Sequence, residues 1–266
     1  KWSKKYKFET IYYIAPQLWA WNEKRINEIK KYINSLYVIL PFEKEFFESK
    51  HNYPVKFLGH PLADSIYNFK TNNISSNKLI TTDKKPIIAI LPGSRKQEIK
   101  KILNTVIETV ECFKEYQFIV AGAPNIELSY YTSIIKNKKI KVIENKTYEL
   151  LSVSYAAIVT SGTATLETAL FKVPQVVCYK SSYFSFVIAK LIVNIKYISL
   201  VNLIMDQEIV KELIQHDCNK NKITKELKKI LDLNHRKSLK VKYDELASIL
   251  GNFGTSKRVA LDIITK

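Results

Sequence analysis

Apolar residues in this chain fall in short runs, separated by stretches in which they recur every three or four positions, and that alternation predicts strands joined by helices. Ile87, Ile88, Ala89, Ile90 and Leu91 form one unbroken run, as expected of a strand buried on both faces. Behind it Ile99, Ile102, Val106, Val110 and Phe113 keep helical spacing, which predicts a helix over 95–113 with one face on the sheet. The rhythm continues as strand 117–121, helix 127–136, strand 140–143, short helix 147–152, strand 156–159, helix 163–171 and strand 175–179. Upstream, strands at Thr10–Ala15, Ser35–Leu40 and Val55–Leu58 alternate with helices at Glu23–Ile33 and Phe42–Ser49. From Ser182 the pattern turns mainly helical, over 183–192, 207–216, 221–231, 237–250 and 256–264. Short joints between alternating strands and helices predict an α/β fold with parallel sheets. The polar stretch 65–85, with TNNISSNK and TTDKKP, breaks the periodicity and marks a boundary.

Two turns carry the candidate chemistry. Pro92-Gly93-Ser94 joins the strand ending at Leu91 to a helix whose first turn holds Arg95 and Glu98. Free N–H groups at a helix start attract phosphate oxygens, Gly93 permits close approach, and Arg95 has the fork that fits a phosphate. Ser161-Gly162-Thr163 repeats the arrangement at a second strand end, where backbone N–H groups and two hydroxyls suit another phosphate. Glu167 stands one helical turn beyond Thr163, placed to accept both hydroxyls of a ribose. Each feature alone reads equally as an ordinary capped turn. Together, at the carboxyl ends of parallel strands, they describe a site for a nucleoside diphosphate.

Composition narrows the classes. The 266 residues and 46% apolar content suffice for two modest packed domains. A net charge of +17 suits an anionic partner such as a nucleotide, a phospholipid surface or nucleic acid, although a chain rich in Lys, Ile, Asn and Tyr also acquires it by compositional bias. No apolar run has the length of a bilayer span, and KWSKKYKFETIYYIAP lacks a signal-peptide cleavage site, so the chain reads as cytosolic. The greasy stretch Tyr183–Tyr197 lacks a clean polar face and reads as core or subunit packing. Cys112, Cys178 and Cys218 fit neither a disulfide framework nor a zinc site. His51, His60, His216 and His235 stand singly, there is no D-x-D pair, and neither a Walker loop nor a G-x-S-x-G elbow is present. Trp19 and Trp21 read as loop anchors in the core.

The motifs YYIAPQLWAW, Lys24-Arg25, LPFEKEFF, FLGHPLAD, LPGSRKQEI, TSGTATLETAL, VPQVVCYK and YISLVNLI, followed by VKELIQ, occur in unbroken order from Ile11 to Gln215. This series closely resembles the lipid-A-disaccharide synthases. The resemblance implies a GT-B architecture of two Rossmann-like domains with parallel sheets, the first incomplete, plus a helical C-terminal tail. It implies a remainder of the acceptor-side domain at 1–64, a linker at 65–85, a UDP-sugar-binding domain at 86–235, and helices at 236–266 that pack back on the first domain or on a partner subunit.

The implied activity is an inverting, metal-independent hexosyl transfer without cofactor, from UDP-2,3-diacylglucosamine to the 6-hydroxyl of 2,3-diacylglucosamine 1-phosphate. The acylated substrates imply a peripheral enzyme on the anionic inner face of the cytoplasmic membrane, with homodimer formation through the C-terminal helices and no nucleic acid. By motif position, Gly93, Ser94, Arg95 and Glu98 match the donor diphosphate loop, and Ser161, Gly162, Thr163 and Glu167 match the nucleotide-binding turn and helix. Asn202 matches an asparagine near the donor, with Glu212 and Gln215 in the motif after it. Val201 stands where the family usually has proline, and Met205-Asp206 replaces a small Ala-Gly pair. The family's G-E-x-S-G-D motif and its proposed base aspartate have no counterpart here, so no catalytic base is assigned, and the expectation is a fragment, one part of a split enzyme or an inactive product. Other readings of the same motifs are a second GT-B UDP-sugar enzyme, such as a 2-epimerase or soluble-sugar transferase, or an inactive basic membrane-binding remnant.

Overall fold

The computed structural model describes residues 2–72, 83–136, 140–181 and 196–265. The polar residues 73–82, the helix expected at 183–192 and most of the greasy stretch lie outside the described residues. Among the described residues the chain divides into two compact units, one built from residues up to Tyr67, Lys196 and those from Ala247 onward, the other from residues 68–181 and 197–246.

In the first unit, β1 (Ile11–Tyr13), β2 (Ser35–Val38) and β3 (Lys56–Phe57) form a parallel sheet in that order. All four residues of β2 are buried, as befits the central strand. Ile26 and Ile29, the apolar stripe of helix Ile26–Tyr32, pack with Leu36, Val38, Phe47 and Val55. Glu43 of the LPFE motif is buried, and its carboxylate accepts from the N–H groups of Ile39 and Leu40 and from Trp19 Nε1. Trp19 therefore anchors its loop, with its ring edge on Phe42. Residues 65–72 of the stretch expected as linker complete helix Leu62–Asn72. Asp64 of FLGHPLAD caps the last helix, Thr255–Ile264, accepting from the N–H groups of Gly254, Thr255 and Ser256 at 2.6, 3.1 and 2.7 Å.

The second unit holds β4 (Ile87–Leu91), β5 (Gln117–Gly122), β6 (Ile140–Glu144), β7 (Ser154–Thr160), β8 (Gln175–Tyr179) and β9 (Lys211–Ile214). All pairs are parallel, in the order β6-β5-β4-β7-β8-β9. The run 87–91 is buried throughout because both faces are covered. Ile88 and Ile90 pack with Ile99, Ile102 and Val106 of helix Lys96–Val110 and with Ile223 and Leu227 of helix Lys220–Leu231. Ile87, Ala89 and Leu91 pack on the other side with Leu150 and Leu151 of helix Thr147–Val153. Burying one such side chain contributes about 1.5–3 kcal/mol, so these two layers fix the unit. The strand order reverses between β4 and β7, and at such a switch point the two following loops part to leave a crevice.

One expected element is wrong. The segment 207–216 is not a helix: Lys211–Ile214 is the edge strand β9, paired with Val176–Tyr179. Its apolar residues fit helical spacing, but the open edge of β8 offers a complete ladder, and tertiary pairing overrides local pattern. A helix forms earlier, at Leu200–Met205, where the Ser199 side chain accepts from the Asn202 N–H.

Candidate functional site

A cleft of about 500 Å³ opens at the carboxyl ends of β4, β5, β7 and β8 in the second unit. Gly93, Ser94, Arg95, Glu98, Ser161, Gly162, Thr163 and Glu167 all line it. Two expected turns, about 70 residues apart in sequence, thus form one site because β4 and β7 are neighbours across the switch point.

The first turn is crowded and charged. Gly93 has φ of +102°, and a Cβ there would stand 3.0 Å from Glu98 Oε2 and 3.5 Å from Thr160 Cγ2. Arg95 was expected in the first helical turn; it occupies the N-cap instead, in extended conformation, and no side chain caps helix Lys96–Val110. The N–H groups of that first turn are therefore left for a ligand. The Arg95 side chain is 81% exposed and donates to Glu98 Oε1 at 2.9 Å. Such a surface pair is worth at most about 1 kcal/mol, so an incoming anion displaces it easily.

The second turn is open in front and tied behind. Gly162, with φ of +135°, has nothing within 4 Å of where a Cβ would sit. It is the N-cap of helix Thr163–Leu170, which also lacks a side-chain cap. Thr163 is exposed to the cleft, but the Ser161 hydroxyl is committed, donating to the Ile198 carbonyl at 2.6 Å. Glu167 is half-buried, and its Oε1 accepts from the Tyr148 hydroxyl at 3.0 Å. Burial raises the Glu167 pKa and the Tyr148 bond opposes that rise.

Asn202 is not brought to the cleft. It is fully buried, its Nδ2 donating to the Val210 carbonyl and Glu212 Oε1, its Oδ1 accepting from the N–H groups of Ile209 and Val210, all at 2.8–2.9 Å. Glu212 in turn accepts from the N–H groups of Ile198 and Ser199, both at 2.9 Å. The chain of bonds runs Asn202, Glu212, the 198–199 backbone, Ser161. Asn202 and Glu212 therefore hold the second turn rather than face the cleft. Gln215 also lies away from it, its Nε2 donating to Ser181 Oγ at 2.8 Å.

Sequence reading missed the rest of the lining: Ala121 and Gly122 at the end of β5, Ala123 and Pro124 just after it, Thr147, and Tyr179 at the end of β8. Their signal is positional, since every strand of a parallel sheet ends on the same edge. Tyr131, fully buried, braces the β5 loop by accepting from the Ala123 N–H at 2.8 Å.

The lipid-A-disaccharide synthetase family model matches residues 2–261. A lipid-A-disaccharide synthase from Coxiella burnetii (strain Dugway 5J108-111) is 35% identical over 98% of this chain and 70% of that protein. One from Persephonella marina is likewise 35% identical, over 97% of this chain and 72% of that protein. Among solved structures, the UDP-GlcNAc 2-epimerase from Neisseria meningitidis bound to UDP-GlcNAc matches with a TM-score of 0.66 at 13% identity, covering 99% of this chain and 72% of that one. The calicheamicin glycosyltransferase CalG4 matches with a TM-score of 0.61 at 10% identity, covering 99% of this chain and 70% of that one. These two likenesses bear on the fold alone, which is the GT-B fold expected from the sequence. By the match along nearly its whole length, the chain belongs to the lipid-A-disaccharide synthetase family and is a glycosyltransferase of lipid A biosynthesis.

Proposed function

We propose that the cleft of the second unit holds the UDP moiety of UDP-2,3-diacylglucosamine, and that the sugar passes to the 6-hydroxyl of 2,3-diacylglucosamine 1-phosphate with release of UDP. The observation that carries this reading is the pair of helix starts without side-chain caps, at Arg95 and Gly162, lining one crevice together with the Arg95 side chain. Two sets of free N–H groups and one guanidinium suit a diphosphate. As the bond from the sugar to the diphosphate breaks, negative charge grows on those oxygens. Donors already in place stabilise that charge without reorganising, which lowers the barrier rather than merely binding substrate. Glu167 is the acceptor for the ribose hydroxyls, and Glu98 holds Arg95 at the rim until phosphate replaces it. The base that takes the acceptor proton is assigned to no residue of this chain.

The test is calorimetric titration with UDP, paired with transfer assays using acylated and non-acylated donors. Turnover of the acylated donor alone supports the reading. Turnover of UDP-N-acetylglucosamine to its 2-epimer, or UDP affinity unchanged in Arg95→Ala, would sink it.

The +17 charge and the acyl chains of both substrates support peripheral binding to the anionic inner face of the cytoplasmic membrane. Among the described residues no helix is long and apolar enough to cross a membrane. Co-sedimentation with phosphatidylglycerol vesicles, lost at high salt, is the expected result. Exposed Leu261 and Ile264 on the last helix support homodimer formation through the C-terminal helices, which light scattering checks.

A further inference from the structure

We propose that Tyr148 is a positioning residue for Glu167: its hydroxyl holds one carboxylate oxygen so that the other meets the ribose hydroxyls of the uridine ligand. This role rests on the assignment of the cleft to a UDP moiety and adds a residue that none of the sequence motifs contains.

Tyr148 lies in helix Thr147–Val153, on a different element from Glu167, and does not itself line the cleft. It therefore acts on a ligand only through its partner. Its hydroxyl donates to Glu167 Oε1 at 3.0 Å. The phenol ring is clamped by Phe69, edge-on at 5.5 Å, and by Phe171, tilted at 5.2 Å. A ring held on two sides cannot swing its hydroxyl away, so the carboxylate orientation is set before a ligand arrives. That matters because a half-buried carboxylate without a fixed partner has two competing needs, solvation and aim.

The charges around this pair point elsewhere. Lys70, on helix Leu62–Asn72, donates to the carbonyl of Leu170 at the far end of helix Thr163–Leu170 at 3.3 Å, and Lys172 pairs with Asp244. Across the cleft, Arg95 pairs with Glu98. Tyr148 is the polar side chain that bonds Glu167 among the described residues, and its bond counters the effect of burial on the carboxylate. Burial and the neighbouring Glu167 keep the Tyr148 phenol protonated far above its ordinary range, so it remains the donor.

Tyr148→Phe removes one oxygen and keeps the ring between Phe69 and Phe171. The measurements are calorimetric affinities for UDP and for 2′,3′-dideoxyuridine diphosphate across pH, on wild type, Tyr148→Phe, Glu167→Gln and the double variant, with thermal melts alongside. The expected result is UDP binding weakened about fivefold in Tyr148→Phe, with the dideoxy ligand unaffected. Loss of UDP affinity on acidification should begin at higher pH than in wild type, because removing the bond lets burial raise the Glu167 pKa further. In the Glu167→Gln background Tyr148→Phe should add nothing. Equal weakening of both ligands, or an unmoved pH profile, would overturn the positioning role while leaving the ribose assignment intact. If wild type and Glu167→Gln show the same preference for UDP over the dideoxy ligand, the ribose assignment itself fails, and the role of Tyr148 with it.

Discussion

The two glycine turns of the cleft are the same local device with opposite support. Each ends a buried strand, each has a glycine at positive φ, and each opens a helix without a side-chain cap. The Gly93 turn is governed by charges from its own next residues, Arg95 and Glu98. The Gly162 turn has no cation of its own, its carboxylate Glu167 is half-buried against the Tyr148 hydroxyl, and it is held from behind by residues about 50 positions away, through Ser161, Glu212 and Asn202. The difference separates two duties. One turn supplies an exposed cation that is able to follow a ligand, and the other supplies backbone donors that must not move. In the proposed site the braced backbone donors carry the larger share of charge stabilisation, since a donor that must first reorient gives back part of its gain.

Breaking the rear support should have the largest effect. Asn202→Ala takes the Asn202 partner from the buried Val210 N–H and carbonyl and one of its bonds from the Glu212 carboxylate, and should cost about 3 kcal/mol by urea unfolding. UDP binding should weaken with it, although Asn202 lies outside the cleft lining. Next comes Gly162→Ala. With φ of +135° and ψ of −161°, the backbone is in a region essentially restricted to glycine, and alanine should cost about 1–3 kcal/mol despite the open space around it.

Ser161→Ala removes the single bond to the Ile198 carbonyl and should cost about 1 kcal/mol, with a modest loss of UDP affinity. The smallest stability effect belongs to the front turn: Arg95→Ala should change unfolding free energy by less than about 0.5 kcal/mol. Its UDP affinity should nevertheless fall about tenfold, the value of one charge-assisted contact. If Asn202→Ala proved stable yet unable to bind UDP, Asn202 would be touching ligand and the contrast between the turns would be wrong.

Much of this was legible beforehand for reasons that can be named. The run 87–91 announces a doubly covered strand, and Ile99, Ile102 and Val106 announce the helix face that covers it. The two turns and their eight candidate residues stand out because they occur together at the carboxyl ends of parallel strands, where either one alone reads as an ordinary capped turn. What failed to show was the fate of polar residues whose partners are distant. Asn202 matches a ligand-side motif position yet spends all its hydrogen bonds inside. The 207–216 stretch carries helical spacing yet completes a sheet, because the exposed edge of β8 was invisible in one dimension. Tyr148 had no local signal, since its importance comes from lying against Glu167, 19 positions later.

The sequence by itself determined the alternation of strands and helices, the glycine bends at two strand ends, and the family to which these belong. Those features follow from side-chain hydrophobicity and backbone freedom, which are properties of neighbours along the chain. Only the tertiary structure decided that the two bends share one crevice, that the Asn202 and Glu212 pair braces one of them, and that the Tyr148 hydroxyl meets the Glu167 carboxylate. Such outcomes depend on strand order and on the requirement that buried polar atoms find partners, and both are settled by contacts between residues far apart in sequence.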